Sequence, residues 1–298
     1  MKNRKHSKRT LPKKHTIMDH PILALILMPV WCMIIASIFG GIVSGIFGGD
    51  QSAITGVATA VGALLCLAIH RSWFRGEFNG SLKLKNLRLG MLLLLPSLLF
   101  FVTNLTEVDF RTLTPAAVLT AFGTALGPGV MEEVAFRGLA GSNFMRVWRD
   151  EKKLVLIVTL TALLFGLVHI SNILAGAGMA VSFTQAVYSF GAGVLFAAVY
   201  LRTGSLIPTI IAHTLVDASA FMTAELMESG GVLSGSSFDW SMLITGALGL
   251  ALAVLGYWYI RPEKRAEIIE LWAGKWKVPA VQEPVSTEET EMESAAEE

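Results

Sequence analysis

Charge is what this sequence has least of. Only 16% of its 298 residues are Asp, Glu, Lys or Arg, while 53% are hydrophobic; a soluble domain carries roughly a quarter charged residues. Mean hydropathy is +0.58. The few charges crowd the ends and some short connectors. Between them lie uncharged runs of the length a helix needs to cross a hydrocarbon core, about 20 residues. A soluble globular fold is thereby excluded. Cysteine is scarce as well: Cys32 and Cys66 both fall in apolar runs and read as small buried hydrophobes, with a spacing that suggests no metal site. There is no Gly-x-Ser-x-Gly nucleophile motif, no His-Glu-x-x-His, and no repeat of solenoid or propeller period. Matched halves of the kind many transporters show are also missing.

What is present is an all-α pattern, a polytopic transmembrane bundle of about eight spans. The candidate runs are Pro21 to Gly48, about Ser52 to Ile69, about Leu89 to Val102, one starting near Leu113, Leu154 to Asn172, Phe183 to Leu201, Leu206 to Ala224 and Trp240 to Ile260. The fourth is the least apolar and is interrupted by Gly127, Pro128 and Gly129, which membrane helices tolerate when neighbours re-satisfy the freed backbone groups. The first run exceeds a signal-peptide core and lacks a clear cleavage site.

Basic residues gather in alternate connectors: Arg71, Arg75, Lys83, Lys85 and Arg88; Arg146, Arg149, Lys152 and Lys153; Arg202; Arg261, Lys264 and Arg265. The other connectors are acidic or uncharged, apart from Arg111. Eight spans with both termini in the cytoplasm satisfy that bias, and a bacterial cell membrane is the expected setting. Residues 1–20 form a basic cytoplasmic arm, with seven bases and no acid in the first fifteen positions. An apolar span follows at once, so the arm is read as a topology determinant and no nucleic-acid partner is expected. Residues 21–260 form the membrane domain. From 261 to 298 an amphipathic segment, Arg261 to Lys277, precedes a disordered acidic tail holding seven glutamates after Val281.

Ionisable residues inside spans are costly, so each needs a reason. Three clusters stand out: Glu132-Glu133-x-x-x-Arg137, Phe165-x-x-x-His169 and His213-x-x-x-Asp217. Four-residue spacing lets Glu133 pair with Arg137, and lets His213 and Asp217 face one pocket. Each cluster alone has a plain structural reading, as an ion pair, a packed histidine or an interhelical clamp. Together, segregated from an apolar interior, they make a poor design for stability alone. Depth is a further test. Glu132 and His169 lie at nearly equal distance from the basic turn near residue 150, about 27 Å if both flanks are straight helices. His213 lies only nine residues beyond Gly204, and matches that depth only if the basic hairpin projects past the Gly204 turn.

With no serine or cysteine in a nucleophile motif, water is the expected nucleophile. Glu133 is the better partner for Arg137, which leaves Glu132 as the general base, with a histidine to hold the water and a further donor for the oxyanion. The three clusters resemble those of the CPBP family of intramembrane peptidases, the CAAX-processing and bacteriocin-processing enzymes, over about residues 90 to 225. The resemblance implies a glutamate-dependent endopeptidase in which Glu132 activates water and His169 positions it. His213 and the residue at position 217 would then act on the scissile carbonyl. The family often has asparagine where this chain has Asp217; a carboxylate cannot donate, so orienting His213 suits Asp217 better. No cofactor is firmly implied. Glutamate and histidine could hold a divalent metal such as zinc, although the water scheme runs without one. The expected partner is a membrane-anchored or hydrophobic peptide: a prenylated C-terminus, a bacteriocin leader or another membrane peptide. A proton-coupled transporter or channel, or a non-catalytic scaffold or immunity protein, are the competing readings.

Overall fold

A computed structural model of the protein describes residues 18–47, 52–74, 77–223 and 239–278. The expected acidic tail and all but the end of the basic arm lie outside these residues. Among the described residues there is no strand, and the chain is an all-α polytopic bundle.

Six helical stretches are long and apolar enough to cross a membrane. They are α1 (Pro21–Phe47), α2 (Ser52–Trp73), the pair α3 (Leu87–Leu94) and α4 (Leu98–Thr106) joined by a 3-10 turn at Pro96, the stretch built on α7 (Leu154–Val168), α8 (Met179–Thr203) and α10 (Trp240–Tyr259). Their outward faces carry a long series of exposed aliphatic side chains, Ile34, Ile38 and Ile42 on α1 among them. Such faces suit lipid rather than water. The integral membrane character read from composition therefore holds. The other two runs are also helical. The fourth becomes α5 (Pro115–Glu132), a π-helix (Glu133–Gly141) and α6 (Ser142–Val147); the seventh becomes α9 (Ile207–Phe221), shorter than a full crossing.

Helix α5 starts where Thr114 accepts the Ala117 N–H at 3.1 Å and Pro115 takes the first helical position, whose N–H needs no partner. Small residues then let it approach its neighbours closely. A Cβ at Gly129 would collide with the Thr214 hydroxyl of α9, and Gly56 of α2 lies against the backbone at Gly123. With little hydrophobic drive between helices in lipid, such close backbone packing is a main source of association.

The final helix, α11 (Pro262–Trp276), does not cross. It lies against one end of the bundle with Ile268, Ile269, Trp272 and Trp276 buried. Its indoles donate to the Leu201 and Ser142 carbonyls, both at 3.0 Å. Lys275 donates to the Gly80 and Gly204 carbonyls at 2.5 and 2.6 Å. Helix α11 thus ties Ser142 and Gly204 to one level of the molecule.

That tie settles the depth problem posed by His213. Glu133 is nine residues from Ser142, and His213 is nine residues from Gly204. Two helical segments leaving one level and rising by equal residue counts reach similar heights.

Candidate active site

The π-helix places the first cluster. Pro128 has no N–H to donate to the preceding turn of α5. A few residues later the ladder widens, so that the Ser142 N–H reaches back five residues to the Arg137 carbonyl. Insertions of this kind recur at functional sites. Here the widened stretch contains Glu133 and Arg137, both sealed from solvent, at 0% and 1% exposure. Arg137 Nη1 donates to Glu133 Oε1 at 3.0 Å and Nη2 to the Gly193 carbonyl of α8 at 3.3 Å. The guanidinium also lies over the Phe165 ring, 4.5 Å from its centroid. A buried charge pair needs such additional partners to offset its desolvation.

His213 joins the clusters. Its Nδ1 lies 3.0 Å from Glu133 Oε1, and because a carboxylate only accepts, this nitrogen carries the proton. Its Nε2 faces Asp217 Oδ2 at 3.5 Å and Glu132 Oε2 at 3.6 Å. Two carboxylates on that edge call for a proton there, held by the ring or by one of the acids. Glu133 is thus shared between Arg137 and His213, while Glu132 and Asp217 converge on the opposite nitrogen. Their side chains keep 14% and 25% exposure, which leaves water a route to them that Glu133 lacks.

His169 stands across Phe165. It caps α7 and begins a 3-10 segment, His169–Ala175. Its Nδ1 donates to the Phe165 carbonyl at 2.8 Å, which leaves Nε2 of the neutral ring as an acceptor. The Phe165 ring is edge-on to both imidazoles, 5.0 Å from His169 and 6.0 Å from His213. Phe165 is therefore an apolar partition shared by the two histidines and Arg137.

All six ionisable residues singled out in the sequence lie around this partition. Three further contributors were not anticipated. Thr209, one turn before His213, faces Glu133. Phe196 of α8 packs against His213 at 5.8 Å, and Gly193 supplies the carbonyl that receives Arg137. Four-residue spacing from His213 would have picked out Thr209; nothing in the sequence marks Gly193 or Phe196. Among the described residues, no group of three or more His, Cys, Asp or Glu side chains is arranged to hold a metal ion. Cys32 and Cys66 are both buried and unbridged.

Residues 114–219 match the family model described as type II CAAX prenyl endopeptidase, Rce1-like. No curated protein and no solved structure matches the chain. The matched segment contains all six ionisable side chains of the cluster, and the match supports an intramembrane protease. Over residues 114–219 the chain is thus similar to the Rce1-like type II CAAX prenyl endopeptidases, the group that its three motifs resemble.

Proposed function

We propose that this protein is an intramembrane endopeptidase in which Glu132 activates a water molecule to hydrolyse a peptide bond of a membrane-associated substrate. The observation that carries the reading is the unequal placement of two adjacent glutamates. Glu133 is sealed and shared between Arg137 and His213, whereas Glu132 is reachable by water and stands beside His213 Nε2. A general base must reach both water and the reacting group, and only Glu132 of the pair meets the first condition.

His169, with its Nε2 lone pair, holds the water opposite Glu132. His213 and Asp217 face the scissile carbonyl, with Asp217 orienting the imidazole. Glu133 and Arg137 fix that imidazole from behind. The substrate is a hydrophobic or lipid-anchored peptide reaching the site from the bilayer, and the name of the matched family makes a prenylated CAAX-type C-terminus the first candidate. Eight spans, both termini in the cytoplasm, a membrane domain over 21–260 and a bacterial cell membrane complete the proposal; the charge alternation supports the topology. A transporter would string ionisable groups across the bundle. Here Glu132, Glu133, Arg137, His213 and Asp217 lie within a few ångströms of one another.

The test is cleavage of a library of hydrophobic and prenylated peptides by purified wild type and Glu132→Ala in parallel, with and without chelator. Cleavage by the wild type alone, unaffected by chelator, is the expected result. Equal cleavage by the two proteins overturns the reading, and chelator-sensitive cleavage replaces the metal-free scheme with one that uses a divalent ion such as zinc.

A further inference from the structure

Hydrolysis at Glu132 requires a hydrogen-bond donor for the oxygen of the attacked carbonyl, and the groups already placed have few to offer. Arg137 is sealed against Glu133 and the Gly193 carbonyl. His169 commits its Nδ1–H to Phe165, and His213 commits its own to Glu133. The other edge of His213 faces two carboxylates. Asp217 as a carboxylate accepts only.

Helix α8 carries a polar row that none of these roles uses. Gln185 and Tyr188 are three residues apart, and Phe196 follows Tyr188 by eight, so all three share one helical face. Phe196 marks where that face points, since it packs on His213. Tyr188 therefore lies about two turns from Phe196, toward the α7–α8 connection that begins with His169. Its ring leans on Phe100 of α4, 5.5 Å between centroids. The phenol lies within electrostatic range of Asp217 and Glu132, with the Gln185 amide and the Ser189 hydroxyl beside it. Gln185 is held in turn: Asn172 Nδ2 donates to its Oε1 at 2.8 Å. Asn172 follows His169 by one turn of the 3-10 segment, where residues three apart eclipse. A polar clamp between that segment and α8 would need only Asn172 and Gln185. It would not need a phenol near two carboxylates.

We propose that Tyr188 is the oxyanion donor of this site, its phenol positioned by Gln185 and Asn172. The inference rests on the hydrolase reading above. As water adds, its oxygen bonds the carbonyl carbon, its proton passes to Glu132, and the carbonyl π pair moves to the oxygen, which accepts the Tyr188 O–H hydrogen bond. Collapse restores the carbonyl, breaks the C–N bond and returns the proton from Glu132 to the leaving amine.

The experiment compares wild type with Tyr188→Phe as full-length protein in vesicles, using a farnesylated CAAX-type peptide and its phosphinate analogue. Loss of an oxyanion donor lowers kcat by about 10²- to 10³-fold. An interaction made only in the transition state leaves KM within about threefold and weakens the phosphinate as much as it lowers kcat. A folded variant with unchanged kcat and phosphinate affinity overturns the proposal. If Tyr188→Phe does not fold, fluorotyrosines incorporated at position 188 replace it; a kcat that follows the acidity of the phenol supports the role and a flat response overturns it. Wild type that cleaves while Tyr188→Phe cleaves equally well sinks this inference alone. Wild type that neither cleaves the peptide nor binds the phosphinate removes the hydrolase reading and Tyr188 with it.

Discussion

Glu133 Oε1 lies 3.0 Å from His213 Nδ1, joining two residues 80 positions apart in the chain. The same oxygen receives Arg137, also at 3.0 Å. Glu133 is therefore a junction between α9 and the widened segment after α5, and its role differs from that of its neighbour Glu132.

Glu133→Gln should accordingly fail in stability before it fails in chemistry. Removing one partner of a buried charge pair leaves the other uncompensated, a loss of about 3–5 kcal/mol. Thermal unfolding in detergent should show a marked drop for Glu133→Gln and little change for Glu132→Gln. Combining Glu133→Gln with Arg137→Gln should recover part of the loss, because the stranded charge is gone. Equal stabilities for the two single variants would contradict the division of labour.

Close approach of α5 and α9 gives a second prediction. A methyl group at Gly129 meets the Thr214 hydroxyl and backbone, while one at Gly45 meets nothing within 4 Å. Gly129→Ala should push α9 away and part His213 from both glutamates, cutting cleavage by tenfold or more, since misplacements of about 1 Å can cost 10²-fold. Gly45→Ala should leave activity unchanged. Peptide cleavage per folded molecule checks both.

Much of this was legible beforehand, and for one reason. Burying an ionisable side chain in an apolar run is costly enough that each instance stands out, so Glu132, Glu133, Arg137, His169, His213 and Asp217 could be singled out without a structure. Six of the span positions were readable because length and apolarity are both required for a crossing. The π-helix was not readable, because Glu133–Gly141 has no periodic signature distinguishing it from an ordinary turn. Nor was the Glu133–His213 bond: i,i+4 spacing suggested Arg137 as the partner of Glu133 and Asp217 as that of His213, and spacing says nothing of contacts between helices. Depth could be posed as a question about His213 and Gly204, but its answer depended on α11 fixing Ser142 and Gly204 at one level.

The packing of α11 makes a third prediction, outside the membrane. Burial and nearby Lys83 pull the Lys275 ammonium down to about 8 from its ordinary 10.5. Between those values the unfolded chain holds a proton that the folded one has released, so stability rises with pH across that window. The neutral amine still has two N–H groups for the Gly80 and Gly204 carbonyls. Apparent Tm of the wild type should therefore climb from pH 8 to 10.5, and the climb should vanish in Lys275→Met. Identical slopes in the two proteins would exclude this role for Lys275.

The central claim is that Glu132 is the base and Glu133 its structural neighbour. Single-turnover cleavage of one prenylated peptide by wild type and Glu132→Gln, normalised to folded protein, tests it most directly. Loss of a positioned general base costs about 10²- to 10⁴-fold, so the account predicts a stable Glu132→Gln protein slowed by at least 10². A Glu132→Gln protein that cleaves at the wild-type rate would contradict it.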